Sequence, residues 1–323
     1  MICGMIEGVG QGGAAMKHIF IINPAAGKKE SCQQIYKMAE QLRLRHDLDV
    51  SCMLTRSRGH GISLARSLAE TGEELRLYAC GGDGTVNEVA NGIAGFDNAA
   101  MTVIPIGTGN DFLKNFGTDM EKFSDPENLW NGEVQKLDLI DCNGRYALTI
   151  ACAGLDARVA VGVHKYNEVP MLKGKGSYIA SLIVNFLFRD IRRHWTLYVD
   201  GKAREDDFTV ITVCNGRYYG GGFTPVLEAR MNDGILQTLA VRGITRRGFL
   251  GLVGDYAVGD YWKFPHVATL YTASEIRIHS EQEDVTISID GECMTLQDVT
   301  FRLADVKLNF FGPAGCDPNA TAR

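Results

Sequence analysis

The sequence predicts an α/β fold for the N-terminal part of the chain, a parallel sheet with flanking helices, followed by a C-terminal domain built as an antiparallel β-sandwich. Three observations carry this prediction. As far as residue 106, apolar strand-like runs alternate with helix-like stretches, the pattern of right-handed crossovers in a parallel sheet. Beyond Lys136 the texture shifts to short alternating segments with few helices, which reads as antiparallel sheet. The glycine-rich turns of the first half all follow strands, at the carboxyl ends where such sheets bind ligands.

Taken in order, residues 19–22 are an apolar strand, Asn23 to Gly27 a turn, and the charged stretch through Arg45 a helix. The alternation repeats with strand 48–54 and helix 62–70, then strand 75–80 and helix 86–93, then strand 101–106. In the second half, residues 146–151, 196–199, 208–214, 235–241, 275–279 and 285–289 read as strands, and 177–193 and 246–258 as helices. The expected domains are residues 16–135, and 136–313 with a last strand returning to the first domain. Residues 1–15, rich in glycine and without a basic residue, are expected to be a flexible extension, with Met16 as the natural start, and 314–323 to be a loose tail.

Composition narrows the function classes. With 323 residues, 45% of them hydrophobic, the chain can bury more than one core. A net charge of -6 leaves no broad basic excess for neutralising a nucleic-acid backbone, so nucleic acid is not an expected partner. Nine scattered cysteines without a Cys-x-x-Cys pair fit neither a zinc site nor a closed disulfide framework and point to a reducing cytoplasm. The longest apolar run, 178–188, is interrupted and too short to span a bilayer.

The strongest local signal is Gly81-Gly82-Asp83-Gly84-Thr85-Val86-Asn87-Glu88, placed directly after a buried strand and opening a helix. Glycines there let backbone N–H groups approach phosphate oxygens, and the helix start adds partial positive charge. An aspartate beside phosphates needs a cation between them, so Asp83 implies magnesium; a tight turn with a capping aspartate is the alternative. A second loop, Gly107-Thr108-Gly109-Asn110-Asp111, repeats the arrangement, with Thr108 as a nucleotide contact and Asp111 as either a helix cap or a metal- or water-ordering group.

Asn23-Pro24-Ala25-Ala26-Gly27, the Gly81–Thr85 loop and the Gly107–Asp111 loop together resemble the family of diacylglycerol, sphingosine and ceramide kinases. The resemblance covers most of the chain and implies a fold like those of NAD and diacylglycerol kinases. It also implies that the three segments line an ATP cleft, that Thr55 contacts ATP, and that the γ-phosphate is transferred to a lipid hydroxyl, with diacylglycerol the first acceptor. His60, in a Gly-His-Gly step, reads as a helix-start residue. Following the family pattern, Glu292 of Asp290-Gly291-Glu292 is the expected proton acceptor, with Asp290 assisting magnesium; a plain hairpin turn is the alternative. The segment around Asn232-Asp233-Gly234 resembles one that binds a structural magnesium, here through the Asp233 side chain and the backbone oxygens of Arg230 and Ile235, where a loop without metal is the alternative.

Other classes fit less well. A NAD kinase shares the Gly-Gly-Asp-Gly-Thr loop but is not expected to carry both the Gly107–Asp111 loop and the Asp290–Glu292 turn. A binding protein without catalysis has no use for a base beside a metal, and no dinucleotide fingerprint follows the first strand. The run Tyr219 to Pro225, with three glycines, is either a lipid entrance or a bent strand. Transient contact with a membrane surface is expected, through residues 179–188 with Arg189, Arg192 and Arg193, or through Arg242, Arg246 and Arg247 with Phe249 and Leu250. A core helix with a solvated end is the competing account of each. An exposed sheet edge would permit a homodimer.

Overall fold

The computed structural model describes residues 16–28, 30–159, 161 and 190–320. Strands β1 (Lys17–Ile22), β2 (Asp49–Leu54), β3 (Leu75–Gly81) and β4 (Ala99–Pro105) alternate with helices α1 (Ser31–His46), α2 (His60–Ala69) and α3 (Asp83–Ile93), and a single turn, α4 (Asp111–Lys114), follows. β1 to β4 are parallel. β1 and β3 are buried on both faces because helices cover the sheet, which is why they read as unbroken apolar runs. Phe20 and Tyr78 stack at 4.2 Å in its centre, and burying side chains of this size contributes roughly 1.5–3 kcal/mol each.

The second half holds β5 (Glu133–Leu137), β6 (Ile140–Cys142), β7 (Arg145–Ala147), β8 (Ile150–Gly154), β9 (Arg193–Val199), β10 (Lys202–Cys214), β11 (Leu236–Arg242), helix α5 (Arg246–Ala257), β12 (Ala268–Ala273), β13 (Glu275–His279), β14 (Val285–Ile289), β15 (Glu292–Leu296), β16 (Asp298–Leu303) and β17 (Leu308–Gly312). Two of these strands go back to the first sheet, whose order is β2-β1-β3-β4-β17-β5; β17 runs parallel to β4 and antiparallel to β5. The other strands form an antiparallel sheet of eleven. Within it β10 passes from one layer to the other. Its first half, 202–208, pairs with β9, and after an irregularity between Phe208 and Val210 its second half pairs with β8 and β11. Ile211, Val213, Ile276, Ile287 and Phe301 fill the core between the layers.

Several expectations are corrected. The strand expected over 146–151 is two strands, because Leu148, Thr149 and Ile150 give their N–H groups to a side chain instead of a neighbouring strand. β10 begins at Lys202, six residues before the apolar segment, since its charged half lies at the exposed end of the sandwich where period-2 burial does not apply. The tail from residue 314 is anchored through residue 320: Gln135 Nε2 donates to the Cys316 carbonyl at 2.8 Å, the Met231 N–H donates to Asn319 Oδ1 at 2.8 Å, and Cys316 is buried. Of the helix expected over 177–193, residues 177–189 lie outside the described residues, and Arg193 opens β9. The extension 1–15 also lies outside them.

Candidate active site

A cleft of about 1590 Å³ opens at the carboxyl ends of β1 to β4 and runs under the β14–β15 hairpin of the second sheet. All three glycine loops reach it. Asn23, after β1, donates through Nδ2 to Thr85 Oγ1 at 3.0 Å and accepts the Ala25 N–H at 3.0 Å, so its loop is fixed to the start of α3. The Gly81–Asn87 loop and the Gly107–Asp111 loop touch backbone to backbone: a Cβ on Gly107 would lie 2.5 Å from Gly82 Cα, and one on Gly81 would lie 2.4 Å from Thr85 Cβ. Only glycine permits both approaches. Pro24, Ala25, Ala26, Gly27, Thr55, Gly82, Gly84, Val86 and Thr108 also line the cleft. Gly81 supports it from behind, accepting the Ile106 and Gly107 N–H groups through its carbonyl.

Asp83 is the first residue of α3 and faces the second loop. Its Oδ1 accepts the Phe112 N–H at 3.3 Å, and a Cβ on Gly109 would sit 2.7 Å from Oδ2. Burial, then the negative charge of Asp111, then that of Asp290, push its carboxyl up to about 6. A hard divalent cation is the group that relieves such crowding. Magnesium is held by one or two carboxylates with substrate phosphates and water completing the shell, and Asp83 is the cleft carboxylate that would hold one. Asp111 pairs with Lys114 and accepts the Gly221 N–H at 2.8 Å through Oδ2, tying the second loop to the glycine run 220–222.

The β14–β15 turn brings the second half into the cleft. Asp290, at φ +46, stands at its corner. Its Oδ1 accepts the N–H groups of Thr149 and Ile150 and the Thr149 hydroxyl, at 3.1, 3.1 and 2.5 Å; Oδ2 accepts the Leu148 N–H at 2.6 Å and Asn87 Nδ2 at 3.0 Å. Five donors use the carboxylate's whole accepting capacity. Asn87 and Asn91 extend this link, together binding both backbone groups of Tyr146. Two residues beyond Asp290, Glu292 projects toward the Gly81–Asn87 loop: a Cβ on Gly84 would lie 3.8 Å from its Oε1. Its carboxylate is paired with Arg58 and lies 3.8 Å from Arg145 Nη2.

Sequence reasoning missed several of these groups. Arg58 stands only three residues past Thr55, but its partner is 234 residues away. Glu88 accepts the N–H groups of Gly59 and Gly61 at 2.6 and 2.8 Å and so holds the Thr55 loop against α3; the cue was a carboxylate inside the motif. His60 Nδ1 accepts the Arg56 N–H at 3.1 Å, closing the turn that starts α2. Asp233 lies apart from the cleft. Its Oδ1 accepts the Ile235 N–H at 3.0 Å, while Gly234 donates to Asp138, which is paired with Lys307.

Two family models match the chain: the diacylglycerol kinase catalytic domain over residues 17–142, and the YegS C-terminal NAD kinase beta sandwich-like domain over residues 149–311. A Staphylococcus aureus protein named "Putative lipid kinase" is 33% identical over 163 residues, 50% of this chain and 52% of the relative. A Staphylococcus epidermidis protein of the same name is 30% identical over 193 residues, 58% and 62% of the two chains. The chain thus spans about half the length of the curated relatives it matches. A crystal structure from Bacillus anthracis described as a "putative diacylglycerol kinase" superposes with a TM-score of 0.72 at 22% identity, covering 92% of this chain and 95% of that one. Another from that organism gives 0.65 at 19%, covering 92% and 96%. At these identities the structural likeness is one of fold.

Proposed function

Residues 17–142 belong to the diacylglycerol kinase catalytic domain family and residues 149–311 to the YegS C-terminal NAD kinase beta sandwich-like family, and from that premise we propose that the chain transfers the γ-phosphate of ATP to the hydroxyl of a lipid, with diacylglycerol as the reference acceptor and phosphatidic acid as its product. The observation that carries this reading is the meeting of Glu292, from the second sheet, with the Gly81–Asn87 loop, from the first, in one cleft. A phosphate-binding loop and a carboxylate beside it are what transfer to an alcohol requires.

In the proposed reaction, N–H groups of the 23–27, 81–87 and 107–109 loops bind the phosphate oxygens, with Thr55 and Thr108 as further contacts. Glu292 removes the proton of the lipid hydroxyl as its oxygen bonds to the γ-phosphorus, and the bond from that phosphorus to the β–γ bridging oxygen breaks to release ADP. Arg58, beside Glu292, holds that carboxylate in place and adds positive charge near the transferred group. Asp290 acts by position, fixing the turn that carries Glu292 through its five donors. Asp83 would hold magnesium, which when bound neutralises charge on the phosphates. Asp233, with the carbonyl oxygens of Arg230 and Ile235, is proposed as a second, structural magnesium site. The cytoplasmic face of a membrane would present the acceptor, and a dimer is compatible with the exposed sheet edges.

The test is transfer of labelled γ-phosphate from ATP to lipid alcohols in mixed micelles, with and without magnesium, beside NAD as a soluble acceptor. Magnesium-dependent labelling of lipid is expected, with Glu292→Gln at least about a hundredfold slower in kcat. Labelling of NAD alone would assign the chain to soluble kinase chemistry, and a Glu292→Gln enzyme of normal rate would remove Glu292 as the base.

A further inference from the structure

Beyond the phosphate loops the cleft continues along an apolar wall that includes Val159, Phe223, Leu250 and Val253. Set into this wall is a carboxylate that the proposed transfer does not use. Asp156 follows β8, lies deep in the molecule and keeps part of its surface open to the cleft. The Tyr219 hydroxyl donates to its Oδ2, and the Tyr256 hydroxyl reaches the same oxygen at 3.2 Å. The two hydroxyls are 2.9 Å apart, and Tyr256 is 2.8 Å from Thr212 Oγ1. Burial keeps both tyrosines protonated, so they serve as donors.

The arrangement is lopsided. Among the described residues both hydrogen bonds to the Asp156 carboxylate end on Oδ2, and Oδ1 receives none. Asp156 lines the cleft and is only partly buried, and Oδ1 is the oxygen that the two tyrosines do not cover. In the open cleft, solvent satisfies it. An acyl or alkyl chain lying along the wall expels that solvent, and an acceptor oxygen left bare in an apolar site costs binding energy. The tyrosine hydrogens are already engaged, so what the site offers a ligand is an acceptor.

We propose that Asp156, held by Tyr219 and Tyr256, reads the headgroup of the lipid by accepting a hydrogen bond from a second donor, a hydroxyl or ammonium group beside the hydroxyl that is phosphorylated. The preferred acceptor is then a lipid diol or amino alcohol, such as a glycerol with one chain. This rests on the lipid kinase reading and narrows it: diacylglycerol, with one free hydroxyl and two ester carbonyls, leaves Oδ1 without a donor and ranks below such lipids.

The experiment compares phosphate transfer from ATP, catalysed by the full chain in mixed micelles, to an alkylglycerol with free 2- and 3-hydroxyls and to its 2-O-methyl ether. The two lipids share the chain and the primary hydroxyl. The diol is expected to have the higher kcat/KM, by about tenfold or more. In Asp156→Asn, the amide N–H group faces the cleft where Oδ1 did, and the ratio is expected to fall to one or below. Equal kcat/KM for the two lipids in the wild-type protein would overturn the proposal while leaving the lipid kinase reading intact. An Asp156→Asn enzyme slowed equally on both, with the ratio preserved, would overturn it by showing that Asp156 only supports the fold. No transfer to any lipid would remove both readings together.

Discussion

Asp83 shows how one side chain's surroundings set its chemistry. Its carboxyl is raised from the ordinary 3.8 to about 6 by burial first and by the charges of Asp111 and Asp290 next. Because the folded value lies above the unfolded one, the ionised group costs stability above about pH 6, and this cost fades as pH falls toward about 4. In the presence of a chelator, Asp83→Asn is therefore expected to raise the unfolding free energy at pH 8, by roughly 1–3 kcal/mol, and to change it little at pH 4. Thermal melts at both pH values measure this, and an equal effect at the two would contradict the origin of the shift. The presence of Asp83 in a glycine loop was legible in the sequence; its crowding was not, because Asp111 and Asp290 come from two other loops.

Among the elements, α2 and α3 decide whether the cleft is assembled. They cross so closely that a Cβ on Gly92 would lie 2.6 Å from the Ala65 Cβ and 2.7 Å from the Ile62 carbonyl oxygen. Gly92→Ala sets two effects against each other. Alanine favours a helix by about 1 kcal/mol, but overpacking at a backbone contact costs roughly 1–3 kcal/mol. The collision is with backbone and a short side chain, neither of which can turn away, so overpacking is expected to win. Chemical denaturation should show a net loss of stability, together with a raised KM for ATP, because Glu88 on α3 holds the Thr55 loop. A stabilised variant would refute the account. The parallel strands and their helices were legible because their periodicity is local. The break between β7 and β8 was not, because Tyr146 to Ala151 reads as one nearly unbroken apolar run and only the remote carboxylate of Asp290 interrupts it.

The whole molecule is tied together by the return of its last strand. β17 fills the gap between β4 and β5, and Phe310 and Phe311 are buried there. A chain ending at Ala304 would leave two open strand edges and an emptied core, and is expected to aggregate and lose cooperative unfolding. A soluble truncated chain with a sharp transition would show that β17 is dispensable. By itself the sequence determined the two fold classes, the three glycine loops at the strand ends and the presence of Glu292 after a strand, since these depend on periodicity and on residue types within a few positions of one another. Only the tertiary structure decided that Asp290 spends its carboxylate on five donors, that Arg58 pairs with Glu292, and that Asp156 lines the cleft with both of its hydrogen bonds among the described residues on one oxygen. The physical reason is that a carboxylate's role depends on which donors and charges surround it, and those come from segments far apart in the chain, brought together by folding.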